Sequence, residues 1–304
     1  LLVFLWVRSW GFYGSCACSL TVTTVSVIVI SVSMKLRPHF LWDWKRMKAL
    51  LWFGLPIFLG GMIFTFMLTF DRMIISHFFD SRTLGYYSIA IMVFSFSSTA
   101  PKMFSIVLFP KIQEEYAASG DLDKVMRMVV IPDLVIAFFS PLVLGVTYFF
   151  IPTIVHEVLP KYIPGIASAQ VLLFGGFFIS LVYNAQSFLI AIDKRVHAIP
   201  FLLSAILVLC LSSVVLIRRG YGIEGVAAGV SAGFFFYFVS LTYYALRHRL
   251  DYAEMAAYYF KILAVFLYFI FWIWRIGQPA YTGNPWAGSL LRATALALVS
   301  IPVF

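Results

Sequence analysis

Residues 166–191 read IASAQVLLFGGFFISLVYNAQSFLIA. No charged residue interrupts this run. It exceeds the roughly 20 apolar residues that an α-helix needs to cross the hydrocarbon core of a bilayer. A transmembrane barrel strand is only about 9–11 residues long and alternates apolar with polar side chains; this run is far longer and does not alternate. Asn184 and Gln186 lie close together near its end. The stretch therefore reads as a membrane-spanning helix, and the fold is decided by how many such runs surround it.

Eight more are expected. Ahead of it stand Phe12 to Met34, Ala49 to about Phe79, Tyr86 to Leu108, and Val129 to Phe150. After it stand Ala198 to Ile217, Gly225 to Leu246, Tyr258 to Trp274, and Trp286 to Phe304. The fold class is thus all-α, a polytopic transmembrane bundle of about nine spanning helices. Composition agrees. Of 304 residues, 62% are hydrophobic and 12% charged, against about 45–50% and about 25% in ordinary soluble domains. A single soluble core of this size could not hide that much apolar surface. A soluble enzyme, a secreted disulfide scaffold and a disordered chain are all excluded as readings.

The formal net charge is +9. In a soluble protein such a balance would suggest nucleic-acid binding. Here the bases fall in the gaps between apolar runs, which is the positive-inside pattern of a membrane protein, and no nucleic-acid partner is expected. Lys35, Arg37, Lys45, Arg46 and Lys48 precede the second run; Lys111, Lys124 and Arg127 follow the third; Lys194 and Arg195 follow the fifth; Arg247, Arg249 and Lys261 follow the seventh. These alternate gaps outweigh the opposite set of Arg8, Arg82, Lys161, Arg218, Arg219, Arg275 and Arg292, so they are assigned to the cytoplasm. The gap at 35–48, with Phe40, Leu41, Trp42 and Trp44 among its bases, reads as an amphipathic interfacial helix that meets anionic lipid. The gap from Pro110 to Met128 reads as a helical extension stopped at Gly120, then a new helix capped by Asp121.

No enzyme motif is found, neither a nucleophile elbow, a zinc-binding helix nor a phosphate-binding loop. The expectation is a non-enzyme without metal or cofactor. Cys16, Cys18 and Cys210 sit inside apolar segments and read as small packing residues. The five histidines lie in or near gaps on both sides of the bundle.

Ionisable groups inside the runs carry most of the functional signal, because charge at membrane depth is costly and faces a bundle interior or a water-filled cavity. Asp71 and Arg72 interrupt the second run, and Lys102 lies in the third beside Pro101. The plain readings are a local ion pair near the surface and a lysine that snorkels to the headgroups. The functional reading is a polar lining for a charged substrate, with Pro56 and Pro101 letting the helices bend. Asn184 and Gln186 read first as interhelical hydrogen-bonding groups. Asp133 is expected at the cytoplasmic interface. Gly11-Phe12-Tyr13-Gly14 and Gly222-Ile223-Glu224-Gly225 share a G-x-x-G pattern at the outer starts of two helices, either an internal repeat or simply close helix packing.

Several short motifs occur in order: Gly54-Leu55-Pro56, Asp71-Arg72, Leu84-Gly85-Tyr86-Tyr87-Ser88, Phe109-Pro110, Gly120-Asp121, Leu159-Pro160-Lys161-Tyr162 and Gly222 to Ala227. Together, from about Gly11 to Arg249, they resemble the oligosaccharide flippases of the polysaccharide-transport family, in the superfamily that also holds multidrug and toxin exporters. The resemblance implies two six-helix lobes related by pseudo-twofold symmetry. Residues 1–34 would then end the first lobe, 35–48 form a basic cytoplasmic linker, 49–249 the second lobe, and 250–304 two additional helices. The chain opens on Leu1 and carries no recognisable signal peptide, so it is expected to be a fragment lacking most of the first lobe. The implied activity is translocation of undecaprenyl-diphosphate-linked oligosaccharide repeat units across a bacterial inner membrane by alternating access. Asp71, Arg72, Lys102, Asn184 and Gln186 would line the pathway, Arg72 and Lys102 meeting the diphosphate. Its partners would be the lipid-linked oligosaccharide, membrane lipids and polysaccharide polymerase machinery. The alternatives are a cation-coupled multidrug exporter, disfavoured by the scarcity of intramembrane acids beyond Asp71, and a non-functional truncated remnant.

Overall fold

The computed structural model describes residues 2–33, 43–247, 251–277 and 285–300. Those residues form helices joined by short turns, with no strand among them. Among the described residues, eight helices are long and apolar enough to cross a membrane. The bundle is therefore an all-α polytopic assembly, as expected. Most of the 35–48 gap lies outside the described residues, as do residues 301–304 at the end of the ninth run. The chain divides into two compact units, Leu1–Trp52 and Phe53–Phe304.

The first unit holds α1 (Leu2–Ser33) and the start of α2 (Trp44–Met67). α1 bends at Gly11, where φ is 54° and ψ −130°. Its Ser and Thr hydroxyls turn back on the helix itself: Ser19 donates to the Ser15 carbonyl, Thr23 to Ser19 and Ser26 to Val22, at 2.8–3.0 Å. Such back-bonding satisfies each hydroxyl without a partner helix. A segment rich in Thr and Ser can in this way face lipid.

The second unit continues from α2 through α3 (Phe70–Phe78), α4 (Ser81–Ser119), α5 (Leu122–Val158), a 3₁₀ turn (Pro160–Gly165), α6 (Ile166–Ala191), α7 (Ala198–Arg218), α8 (Gly222–Leu246), α9 (Tyr252–Gly277) and α10 (Pro285–Ser300). α6, the run that opened the sequence reading, is the central helix. It packs on α4, α5 and α8, and α7 leans on α8. Phe177 and Phe178 of α6 are buried and meet Phe266 of α9, with Phe177 stacked on it at 4.5 Å between ring centroids. Gly229 of α8 is placed where a Cβ would overlap Ser213 of α7, so the two backbones approach closely. Only the smallest residue permits this contact.

One expectation is corrected. The second run was read as a single helix to about Phe79; instead α2 ends at Met67 and α3 begins at Phe70. Thr69 accounts for the break locally. Its hydroxyl bonds back to the carbonyls of Thr65 and Phe66 at 3.0 and 3.1 Å, and its φ is −119°. The Asp71 carboxylate then accepts the Arg72 backbone N–H at 2.8 Å in the first turn of α3, where a negative charge suits the helix dipole. The third run also extends well beyond its predicted ends. α4 starts at Ser81, capped by Asp80, and runs to Ser119 through Pro101 and Pro110. The predicted stop holds: Gly120 takes φ 63°, and Asp121 accepts from the Asp123 and Lys124 N–H groups to start α5.

A buried polar cluster across four helices

α5 begins at Leu122, so Asp133 lies three turns inside it, about 16 Å from its start. The side chain is 1% exposed. This corrects the expectation that Asp133 is interfacial. That reading placed Asp133 near the start of the apolar run at Val129, although the helix itself was expected to begin after Asp121. The helix face then turns the carboxylate inward against α6 and α9.

Both carboxylate oxygens find donors. Asn184 Nδ2 of α6 donates to Asp133 Oδ1 at 2.7 Å, and the Tyr258 hydroxyl of α9 donates to Oδ2 at 3.0 Å. The Asn184 carbonyl accepts from Ser105 Oγ of α4 at 2.5 Å, and Ser105 also reaches the Pro101 carbonyl at 3.2 Å. The bond to Pro101 is the ordinary back-bond of a helical serine to the carbonyl four residues before it. Asn184, Ser105 and Tyr258 are all buried. Four helices thus share one hydrogen-bonded chain inside an apolar bundle.

A small cavity of about 210 Å³ adjoins this chain between α4, α5 and α6. Ile136 and Ser140 of α5, Pro101 and Ser97 of α4, and Ser180 of α6 line it. The Ser140 hydroxyl is buried without a protein partner. The cavity wall is otherwise mostly apolar, built from Phe104, Val135, Phe139, Val143 and Leu144.

The other residues singled out by sequence fall elsewhere. Gln186 donates from Nε2 to the Tyr237 hydroxyl of α8 at 2.9 Å, at a separate cavity of about 160 Å³ between α2, α6, α7 and α8. Asp71 is buried beside the Tyr87 hydroxyl. Arg72 is exposed, and no ion pair joins its guanidinium to Asp71 among the described residues. Lys102 is exposed on α4, one turn from buried Ser105. The five predicted residues therefore occupy four places, and only Asn184 belongs to the cluster. Sequence reading missed Asp133 as a buried group, and it missed Ser105 and Tyr258 altogether. The signal present was an acid next to Pro132 in an apolar run; a serine and a tyrosine in such runs carry none.

In comparison with known proteins, residues 3–156, a little over half of the chain, match a family described as "Polysaccharide biosynthesis protein". No curated protein and no solved structure matches. The matched region ends near the end of α5. It contains Asp71, Arg72, Lys102, Ser105 and Asp133, while Asn184, Gln186 and Tyr258 lie beyond it.

Proposed function

Because the chain belongs to the polysaccharide biosynthesis protein family, we propose that it translocates undecaprenyl-diphosphate-linked oligosaccharide repeat units across a bacterial inner membrane for surface polysaccharide synthesis, by alternating access. The observation that carries this reading is the buried Ser105–Asn184–Asp133–Tyr258 chain. A carboxylate buried among apolar helices is costly, and intramembrane ionisable groups commonly mark transport pathways. Arg72 and Lys102, exposed on the same unit, add cationic groups of the type that pairs with phosphate. Its partners on this reading are the lipid-linked oligosaccharide, membrane lipids and polymerase machinery, and it catalyses no covalent step.

A second reading gains support from one specific observation. A cation-coupled multidrug exporter needs intramembrane carboxylates, and Asp133 supplies one in addition to Asp71. The two readings separate in a strain from which the full-length gene is deleted. Loss of surface polymer with lipid-linked repeat units accumulating on the cytoplasmic leaflet is expected for the flippase. Normal polymer with drug hypersensitivity would favour the exporter, and no change in either would overturn both.

A further inference from the structure

One open cavity lies away from the Asp133 cluster, and neither functional reading uses it. It measures about 530 Å³ and lies between α5, α6, α9 and α10, within the range of small-ligand sites. Its position in the bundle follows from two contacts. Asp133 of α5 meets Tyr258 of α9, and Phe149 of α5 shares a core cluster with Ile273 of α9, so the two helices run parallel. The cavity therefore sits at the end where α5 turns into α6, which the charge bias of the gaps assigns to the outside.

Its lining is chemically mixed. Arg292 lies about 10 Å along α10 from Pro285. It is half-buried and lines the cavity. Gln170 of α6 also lines the cavity, held by a 3.3 Å hydrogen bond from Nε2 to the Tyr148 carbonyl. Thr153 and Ser289 pair at 2.6 Å, and Ser289 also donates to the Phe149 carbonyl at 3.0 Å, which ties α10 to α5. Trp274 and Tyr148 add aromatic surface. No acidic side chain lines the cavity among the described residues. A half-buried arginine on the wall of a cavity among apolar helices is placed to act as a binding group.

We infer that this cavity binds the phosphate headgroup of a membrane lipid, with the Arg292 guanidinium as its anion-binding group. A guanidinium offers a planar fork of donors that matches phosphate oxygens. Indole and phenol rings at a membrane–water boundary hold the junction of headgroup and chain. The site stands on α5, α6, α9 and α10 alone and does not depend on the transport reading. Two sources carry the same chemistry, a bilayer phospholipid and a polyprenyl phosphate.

The test uses the purified chain in detergent and native mass spectrometry. Phosphatidylglycerol, undecaprenyl monophosphate and diacylglycerol are the probes. Wild type is expected to retain one of the two phosphate lipids, the retained one identifying the source, and not diacylglycerol. Arg292→Gln is expected to weaken that retention about tenfold, as for loss of one hydrogen bond to a charged group. Trp274 is 61% exposed, so Trp274→Leu changes the cavity wall without emptying the core, and it too should weaken retention. Equal retention by wild type and a folded Arg292→Gln variant overturns the proposal, as does retention of diacylglycerol equal to that of the phosphate lipids. If Arg292→Gln does not fold, unchanged retention by Trp274→Leu overturns it instead.

Discussion

Asn184 donates to Asp133 at 2.7 Å with its amide nitrogen and accepts from Ser105 at 2.5 Å with its amide oxygen. One side chain thereby joins α4, α5 and α6. Asn184→Leu should strip one donor from a buried carboxylate and destabilise the bundle by about 2 kcal/mol, measured as a lower thermal unfolding midpoint in detergent. The double variant Asp133→Leu/Asn184→Leu should recover part of that loss, because an apolar pair leaves no unpaired carboxylate. Strict additivity of the two single effects would contradict a coupled pair.

Tyr258 contributes the second donor to Asp133, from α9. Tyr258→Phe keeps the ring and removes only the hydroxyl. It should cost about 1–2 kcal/mol and raise amide exchange along α9 more than along α7. Exchange rising equally in both helices would argue against a specific α5–α9 link.

Arg72 and Lys102 are both exposed on the second unit. If they meet a phosphate-bearing substrate, Arg72→Gln/Lys102→Gln should lower surface polysaccharide about tenfold or more at unchanged protein level, since each removes a charge-assisted contact. Full export by the double variant would remove these residues from the pathway.

Gly11 and Gly222 open the two G-x-x-G segments, and both take a left-handed φ, 54° and 57°. A Cβ at either would meet no atom within 4 Å, so alanine is resisted by the backbone alone. Gly11→Ala and Gly222→Ala should each cost about 1–2 kcal/mol, visible as similar drops in unfolding midpoint. A neutral result at either would deny that residue a required left-handed turn.

Asp80 caps α4 by accepting from both the hydroxyl and the backbone N–H of Thr83, and these bonds hold its carboxyl below the ordinary 3.8. A lowered value means the cap stabilises the folded state above the ordinary carboxylate range and is lost as pH falls through the lower folded value. Relative to Asp80→Ala, amide exchange at Leu84 should be slower at pH 5, and the difference should vanish as the pH drops below about 4. A difference that persists at pH 2 would be inconsistent with this cap.

Much of the architecture was legible before any coordinates. The ends of α6 match the predicted run, and the Gly120–Asp121 stop falls where glycine and an N-cap acid required it. The physical reason is that lipid accepts no unpaired backbone group, so apolar length alone determines that a segment spans as a helix. Helix breaks were less legible. Thr69 ends α2 through hydroxyl bonds that compete with the ladder, a local choice that hydropathy does not encode. The polar cluster was the least legible part. Asn184 stood out as an amide in an apolar run, but Asp133, Ser105 and Tyr258 are 28, 79 and 125 residues apart from one another or from their partners in sequence. Only the packing of α4, α5 and α9 around α6 turns their faces toward one point. By itself the sequence determined that this chain is a membrane bundle, because that follows from the length and composition of each segment taken alone. Which of its polar groups share a site was decided by the tertiary structure, because helix rotation and neighbour choice arise from contacts between segments.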